Sequence, residues 1–239
     1  MSSSVKEPDS LRRAVEGVQT VISSANSALR GGEDDVQAVD REGNRHLIEA
    51  AAHAGVEHFI FVSALGSSLD SPVDFMRAKA DTEQRLRESG MDFTILAPTI
   101  FMENWPGFVV GMPALQGQPV TLVGEGRRLH SFISNRDVAA FAVAAVDNRQ
   151  ARNQYLPLGG PEPLSWRDMV ATYERVLGRE IPVSWVAPGA PVPGLPDPMP
   201  ALLAAQETYD SAVPIDQTAA TFDVELTSLE AFVRRQVSL

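Results

Sequence analysis

The chain has 239 residues and carries 31 acidic against 20 basic side chains, for a formal net charge of -11. This negative charge opposes the phosphate contacts on which nucleic-acid binding depends, so we expect no nucleic-acid partner. The absence of cysteine excludes disulfides and zinc–thiolate sites and fits a reducing cytoplasm. No stretch approaches the ~18 apolar residues of a membrane span, so the sequence predicts a globular, cytoplasmic protein without a membrane partner.

The first part of the chain alternates between helical and strand patterns. Its helices are predicted to end at glycines, and Asp9 or Ser10 can cap the first one. Alternation of this kind builds a parallel sheet with helices on both faces, so the predicted fold class is α/β. The predicted helices are Leu11–Gly17, Asp35–Ala54 and Asp74–Ser89, and the predicted strands are Val18–Ile22, His58–Ser63 and Phe93–Leu96.

After Pro98 the pattern loosens into turns and shorter elements. Ser165 and Asp168 have the spacing of a capping box, and Asp137 is expected to cap its own helix. The proline-rich stretch from Ala187 to Pro200 predicts a loop, a lid or a connector. We therefore expect a first domain over residues 1–98 and, over residues 99–239, mainly a small substrate lobe with some elements returning to the core. The predicted elements here are strands Val120–Val123 and His130–Ile133 and helices Asp137–Asp147, Ser165–Leu177 and Leu226–Gln236.

Several stretches taken together resemble the NmrA-like family of atypical short-chain dehydrogenase/reductases. The resemblance rests on the order and spacing of these stretches along nearly the whole chain. It implies a Rossmann-type doubly wound sheet that binds NADP or NAD, with the pyrophosphate at a helix N-terminus after a glycine-rich turn. The stretches are Asp9–Leu11 with Gly17-Val18, Phe59–Ala64, Phe75–Lys79, Pro98–Asn104, His130–Ile133 followed by Arg136–Ala139, and Tyr155–Gly160.

The glycine-rich turn of that family has no counterpart in this sequence. Gly31-Gly32, Gly124-x-Gly126 and Gly159-Gly160 are interpreted as turns, none of them between a strand and a helix of a βαβ unit. The resemblance then predicts an N-terminally truncated sheet with weak dinucleotide binding. It also leaves the strand Val18–Ile22 as an exposed apolar edge, through which we expect the chain to form a homo-oligomer or capture a partner.

The resemblance places the catalytic serine and lysine at Ser63 and Lys79. Lys79 would hydrogen-bond the nicotinamide ribose, one helical turn after Phe75, which stands where other relatives have a tyrosine. Phenylalanine cannot donate a proton, so proton relay by that tyrosine is excluded. Without the resemblance, a solvated helix lysine is the favoured interpretation of Lys79.

The remaining predicted site residues come from the same resemblance. The cofactor would contact the strand ends and the loops that follow them, and Phe75, Trp105 and His130 would line the substrate pocket. Ser23 and Ser24 could instead satisfy loop amides, and a structurally satisfied strand histidine is the favoured alternative for His130. The spacing of the four histidines predicts no metal site. The predicted cofactor-binding residues are Ser23, Ser24, Ala25, Ser63, Lys79, Pro98, Thr99, Phe101 and Asn104.

The predicted function is that of an NAD(P)H-dependent oxidoreductase that reduces a small carbonyl, enone or quinone and whose cofactor binding is impaired. In such enzymes the cofactor supplies the hydride and the protein orients the reactants. Two alternatives remain open: a non-catalytic sensor or regulatory protein that binds NAD(P), and a cofactor-free isomerase or cyclase that uses the substrate pocket. The chain could also be a fragment of a complete enzyme.

Overall fold

A computed structural model describes residues 4–28, 30–192, 194–195 and 199–238. The chain divides into two compact units: Met1–Pro98 with Ala140–Pro157, and Thr99–Ala139 with Leu158–Leu239. In the described residues, no helix has the length and apolar character needed to cross a membrane.

The regular elements alternate between helix and strand in the first part of the chain. Two segments are π-helices, Val36–Gly43 and Pro106–Gly111, and each leads directly into an α-helix. The elements are α1 (Pro8–Ala14), β1 (Thr20–Ser23), α2 (Asn44–His53), β2 (His58–Val62), α3 (Asp74–Glu88), β3 (Asp92–Pro98), β4 (Ile100–Phe101), α4 (Met112–Leu115), β5 (Val120–Val123), β6 (His130–Ile133), α5 (Asn135–Ala145), β7 (Gln154–Leu158), β8 (Pro163–Leu164), α6 (Trp166–Leu177), β9 (Val183–Val186), α7 (Met199–Gln206), α8 (Asp216–Phe222) and α9 (Leu229–Val237).

The first unit is built on a four-stranded sheet with the order β1-β2-β3-β7. Strands β1, β2 and β3 pair in parallel, with Phe61 opposite Ile95. Phe59 and Phe61 lie two residues apart and so share one face of the sheet, where they join a buried cluster with side chains of α1, α2 and α3. On the other face the Thr94 hydroxyl donates to the Ala151 carbonyl, in the segment after α5. The predicted parallel α/β sheet with helices on both faces is confirmed.

The second unit contains a three-stranded sheet, β4-β6-β8, and a parallel pair, β5-β9. Its core forms where α6 and α9 pack together and where Phe132 of β6 meets Trp166 edge to face. Ser165 caps α6, and the reciprocal bonds between Ser165 and Asp168 confirm the predicted capping box.

Several predicted boundaries are wrong for local reasons. Helix α1 begins at Pro8, because proline fits the first helical turn, and residues 15–17 form a turn instead. The predicted helix Asp35–Ala54 is a π-helix followed by α2. Asp137 does not cap its helix: its own N–H donates to the Ser134 hydroxyl, and its carboxylate accepts two hydrogen bonds from Thr227.

Strands β7 and β9 and helices α7 and α8 are not predicted from the sequence. The residues of β7 and β9 are mostly exposed or half-buried, so their apolar patterns are weak. Helix α7 begins at Met199, inside the stretch predicted as a loop. The described part of that stretch before Met199 has turns and no regular element, and Pro193 and residues 196–198 lie outside the described residues.

The expectation that no glycine pair lies between a strand and a helix of a βαβ unit is wrong for Gly31-Gly32. These residues lie in the loop between β1 and the π-helix Val36–Gly43, which is a strand-to-helix loop of a βαβ unit. Both glycines have positive φ, and Gly31 forms a bridge with Asp34, so their interpretation as a turn agrees with the structure. Three acidic residues, Glu33 to Asp35, follow directly. The loop therefore lacks the electrostatics of a phosphate cradle.

Candidate cofactor site

Buried polar side chains collect at the carboxyl ends of β1 and β2. Ser23 closes β1, Ser63 follows β2, and Lys79 reaches this edge from α3. All three are at most 4% exposed. Ligands of open parallel sheets bind at this end of the strands, because the loops there diverge and leave a crevice.

Lys79 is a buried cation. Its Nζ donates to the carbonyl of Val62 at 3.1 Å and lies over the rings of Phe61 and Phe75, at 4.8 and 5.3 Å from their centroids. Burial lowers the pKa of Lys79 to about 8, against the opposing influence of the Asp40 and Glu83 carboxylates. With 2% of its surface exposed, the interpretation of Lys79 as a solvated helix lysine is wrong.

Ser63 is engaged by a carboxylate that the sequence did not point to. Its hydroxyl donates to Oε1 of Glu83 at 2.5 Å, and the other oxygen of Glu83 accepts from Arg87 at 3.1 Å. A hydroxyl has one proton. While Glu83 is ionised, Ser63 therefore meets any ligand as a hydrogen-bond acceptor.

Asp40 and Asn44 are two further buried polar residues, and neither is among the predicted site residues. Asp40 lies on the π-helix and accepts from the backbone N–H of Ser27 at 2.9 Å, and Asn44 opens α2. Both are fully buried. A signal was present in the sequence, because Asp40 and Asn44 are one turn apart among the apolar positions of a predicted amphipathic helix. Lys79 and Glu83 have the same spacing on α3.

The predicted ribose-contacting residues follow β1. The Ser23 hydroxyl donates to Oδ1 of Asn44 at 3.2 Å, while Ser24 is exposed and Ala25 half-buried. The backbone N–H of Ala25 also donates to the Ser23 hydroxyl, at 3.5 Å, so Ser23 satisfies a loop amide as the alternative interpretation proposed. Pro98 is buried at the end of β3, where its carbonyl accepts from the backbone of Leu65.

The other predicted cofactor residues belong to the second unit. Thr99 has a buried hydroxyl oxygen without a hydrogen-bond partner in the described structure. Phe101 lies in β4 and is half-buried, as is Trp105, and Asn104 is exposed. Their contacts with a cofactor stay predictions.

His130 is fully buried, and both of its ring nitrogens have partners. Because Nε2 faces the carbonyl oxygen of Gln206 at 3.2 Å, it carries the proton, and Nδ1 accepts from the Ser211 hydroxyl at 2.7 Å. Burial lowers the pKa of this imidazole. These contacts favour the structural interpretation of His130 over a role as a pocket acid. In the described chain, no group of acidic and histidine side chains could hold a metal ion.

The donor set fits the ribose of a nicotinamide dinucleotide. An ammonium has three N–H groups, and the carbonyl of Val62 takes one of them. The other two have no hydrogen-bond acceptor among the described residues. An ammonium donor is suited to the hydroxyl groups of the sugar, whereas the acidic residues after Gly32 would repel the negatively charged pyrophosphate.

An open parallel α/β sheet with polar side chains at the carboxyl ends of its strands is typical of nucleotide-binding proteins. The family described as NAD(P)H-binding matches residues 1–149, and the chain belongs to that family. The resemblance to atypical, NmrA-like short-chain dehydrogenase/reductases is confirmed.

Three known proteins illustrate the similarity. The NAD(P)H azoreductase of Xenophilus azovorans is 37% identical over 141 residues, which cover 59% of this chain and 48% of the azoreductase. Photosystem II assembly factor Ycf39 of Synechocystis is 31% identical over 180 residues, covering 75% of this chain and 54% of that protein. This chain thus spans about half the length of these curated relatives. The NADPH-dependent quinone oxidoreductase of Escherichia coli, solved with NADPH, aligns with a TM-score of 0.76 at 20% identity, covering 98% of this chain and 82% of that chain.

Proposed function

We propose that this protein is an NAD(P)H-dependent reductase of a small carbonyl, enone or quinone, and that Lys79 holds the ribose of its cofactor. The observation that carries the proposal is a lysine that is 2% exposed at the carboxyl end of β2 and makes one hydrogen bond among the described residues. A buried ammonium destabilises a fold, so its presence favours a functional role. The azoreductase and the quinone oxidoreductase among the similar proteins support the choice of reaction.

The chain's own residues would supply orientation. When bound, NAD(P)H supplies the hydride. Lys79 would donate to ribose hydroxyls, and the rings of Phe61 and Phe75 would keep water from the ammonium. Ser63, whose proton is held by Glu83, would accept a hydrogen bond from a ligand N–H or O–H group.

One observation favours a second candidate, binding of NAD(P)H without turnover. Phe75 has no proton to donate, and the Ser63 hydroxyl donates its hydrogen bond to Glu83. Neither residue then offers a proton to a reduced substrate. Consumption of NADPH in the presence of a quinone, followed by absorbance at the nicotinamide band, separates this candidate from the reductase.

Titration calorimetry with NADPH and NADH tests cofactor binding. We expect measurable but weak binding, since the sequence contains no glycine-rich turn of the G-x-x-G-x-x-G type to hold the pyrophosphate. The variant Lys79→Ala should weaken the binding about tenfold or more, because a charge-assisted hydrogen bond contributes ~1.5–3 kcal/mol. Phe75→Leu is the matched control and should change it far less. Equal losses in the two variants would contradict the assignment of Lys79.

A further inference from the structure

Asp40 is a fully buried carboxylate with one satisfied oxygen. Its Oδ2 accepts from the backbone N–H of Ser27, whereas Oδ1 has no hydrogen-bond partner within the described residues. Oδ1 lies 3.9 Å from Nζ of Lys79. This distance is too long for a hydrogen bond, so Asp40 acts on Lys79 through its charge.

The backbone around Asp40 keeps the carboxylate at this place. Asp40 sits in a π-helix, a form of helix that is rare and frequent at functional sites. Its carbonyl accepts from Nδ2 of Asn44 at 3.1 Å, and the Thr82 hydroxyl, which donates to the Ala78 carbonyl at 2.9 Å, lies 3.2 Å from it. The π-helix packs against α3, the helix that carries Lys79.

Among the described residues, the charged groups that face Lys79 are two carboxylates. Asp40 approaches from the π-helix and Glu83 from the next turn of α3, while β2 contributes the Phe61 ring and the Val62 carbonyl. Burial lowers the pKa of Lys79 to about 8, and Asp40 is the larger of the two opposing influences. Without the charge of Asp40, the pKa of Lys79 would fall further.

We propose that Asp40 is a positioning residue for cofactor binding, which holds Lys79 in place as a charged donor to the ribose hydroxyls. The proposal rests on the proposed function for its ligand, but the effect of Asp40 on the charge of Lys79 can be measured in the protein without a ligand. Asp40→Asn removes the charge and keeps the size and an oxygen for the Ser27 N–H. If Asp40→Asn does not fold, Asp40→Ser also removes the charge, and its smaller side chain can still accept a hydrogen bond from the Ser27 N–H.

The chain contains two lysines, Lys6 and Lys79, so lysine labelled with carbon-13 at Cε gives two NMR signals. We expect Asp40→Asn to lower the titration midpoint of the Lys79 signal by about one unit or more. Lys6, exposed and paired with Asp34 at 2.6 Å, should not move. The control Glu42→Gln, on the same π-helix but half-exposed and paired with Arg45, should leave Lys79 unchanged. An unshifted Lys79 midpoint in Asp40→Asn and Asp40→Ser would overturn the proposal.

The dissociation constant of NADPH as a function of pH provides the second test. Wild-type binding should weaken as pH rises through about 8, where Lys79 loses its proton. In Asp40→Asn the same loss should occur at lower pH, and acidification should restore wild-type affinity. A purely structural role would weaken binding equally at every pH and would overturn the proposal. If wild type does not bind NADPH at any pH, the proposed function fails, and the lysine titration alone decides whether Asp40 holds Lys79.

Discussion

The hydroxyl of Ser63 donates a hydrogen bond of 2.5 Å to Oε1 of Glu83, and both side chains are buried. Ser63→Ala removes the donor and leaves a buried carboxylate oxygen unpaired, so we expect a loss of ~1–3 kcal/mol in the free energy of unfolding. Urea denaturation measures it. Ser67→Ala, whose hydroxyl is half-buried and donates to the carbonyl of Ala64, is the control and should lose less. Equal losses would mean that Ser63 and Glu83 are not paired in solution.

Because burial lowers the pKa of Lys79, we expect the stability of the protein to rise with pH. The folded protein releases the Lys79 proton near pH 8, while the unfolded chain keeps it up to about pH 10.5. Between these values the unfolded state binds more protons, so the free energy of unfolding increases with pH, by about 1–3 kcal/mol across the window. Lys79→Met should lack this rise. Both proteins contain Lys6, so its titration affects their stability equally. Parallel curves of unfolding free energy against pH for wild type and Lys79→Met would contradict the lowered pKa of Lys79.

His58 predicts a loss of stability in acid. The Thr94 hydroxyl donates to the Ala151 carbonyl, so His58 must donate from Nε2 to Thr94, and burial lowers the pKa of this histidine. As pH falls below about 6.5, His58 binds a proton more readily in the unfolded chain than in the folded protein, so the free energy of unfolding decreases. Thermal melts from pH 7 to 5 should show a shallower decline for His58→Gln. The exposed His53→Gln should behave like wild type, and a matching decline in both variants would refute the role of His58.

The exposed edge strand predicts self-association. Strand β1 lies at the end of the sheet order, and Ile22 is 45% exposed, whereas Val21 packs against the core cluster. We propose that a second copy of the chain pairs with this edge, whose free backbone groups invite strand addition. Ile22→Lys should shift the protein toward monomer in sedimentation velocity. Val143→Lys, at an exposed site on α5, should not. A wild-type protein that sediments as a monomer would contradict the proposal.

The sequence predicts the parallel sheet because its strands are continuous apolar runs between helices that end in glycine. It also places Ser63 correctly at the end of a strand and Lys79 on the helix after Phe75, whereas the burial of Lys79 does not follow from its helical pattern. It marks Asp40 only as a polar residue among the apolar positions of a predicted helix, because an ordinary α-helical pattern cannot show that residues 36–43 form a π-helix. It does not reveal the bond between Ser63 and Glu83, because their spacing of 20 residues becomes a contact only when α3 packs on β2. Strand β7 is missed for a similar reason, since its half-exposed side chains carry little apolar pattern.

The most direct test of the central claim is the carbon-13 lysine spectrum of the wild-type protein during a titration with NADPH. If Lys79 holds the ribose, its signal should shift as the nucleotide is added, while the signal of the exposed Lys6 stays in place. The shift should follow the same dissociation constant as calorimetry. Binding of NADPH that leaves the Lys79 signal unmoved would contradict the account, and so would a chain that binds no NADPH at millimolar concentration.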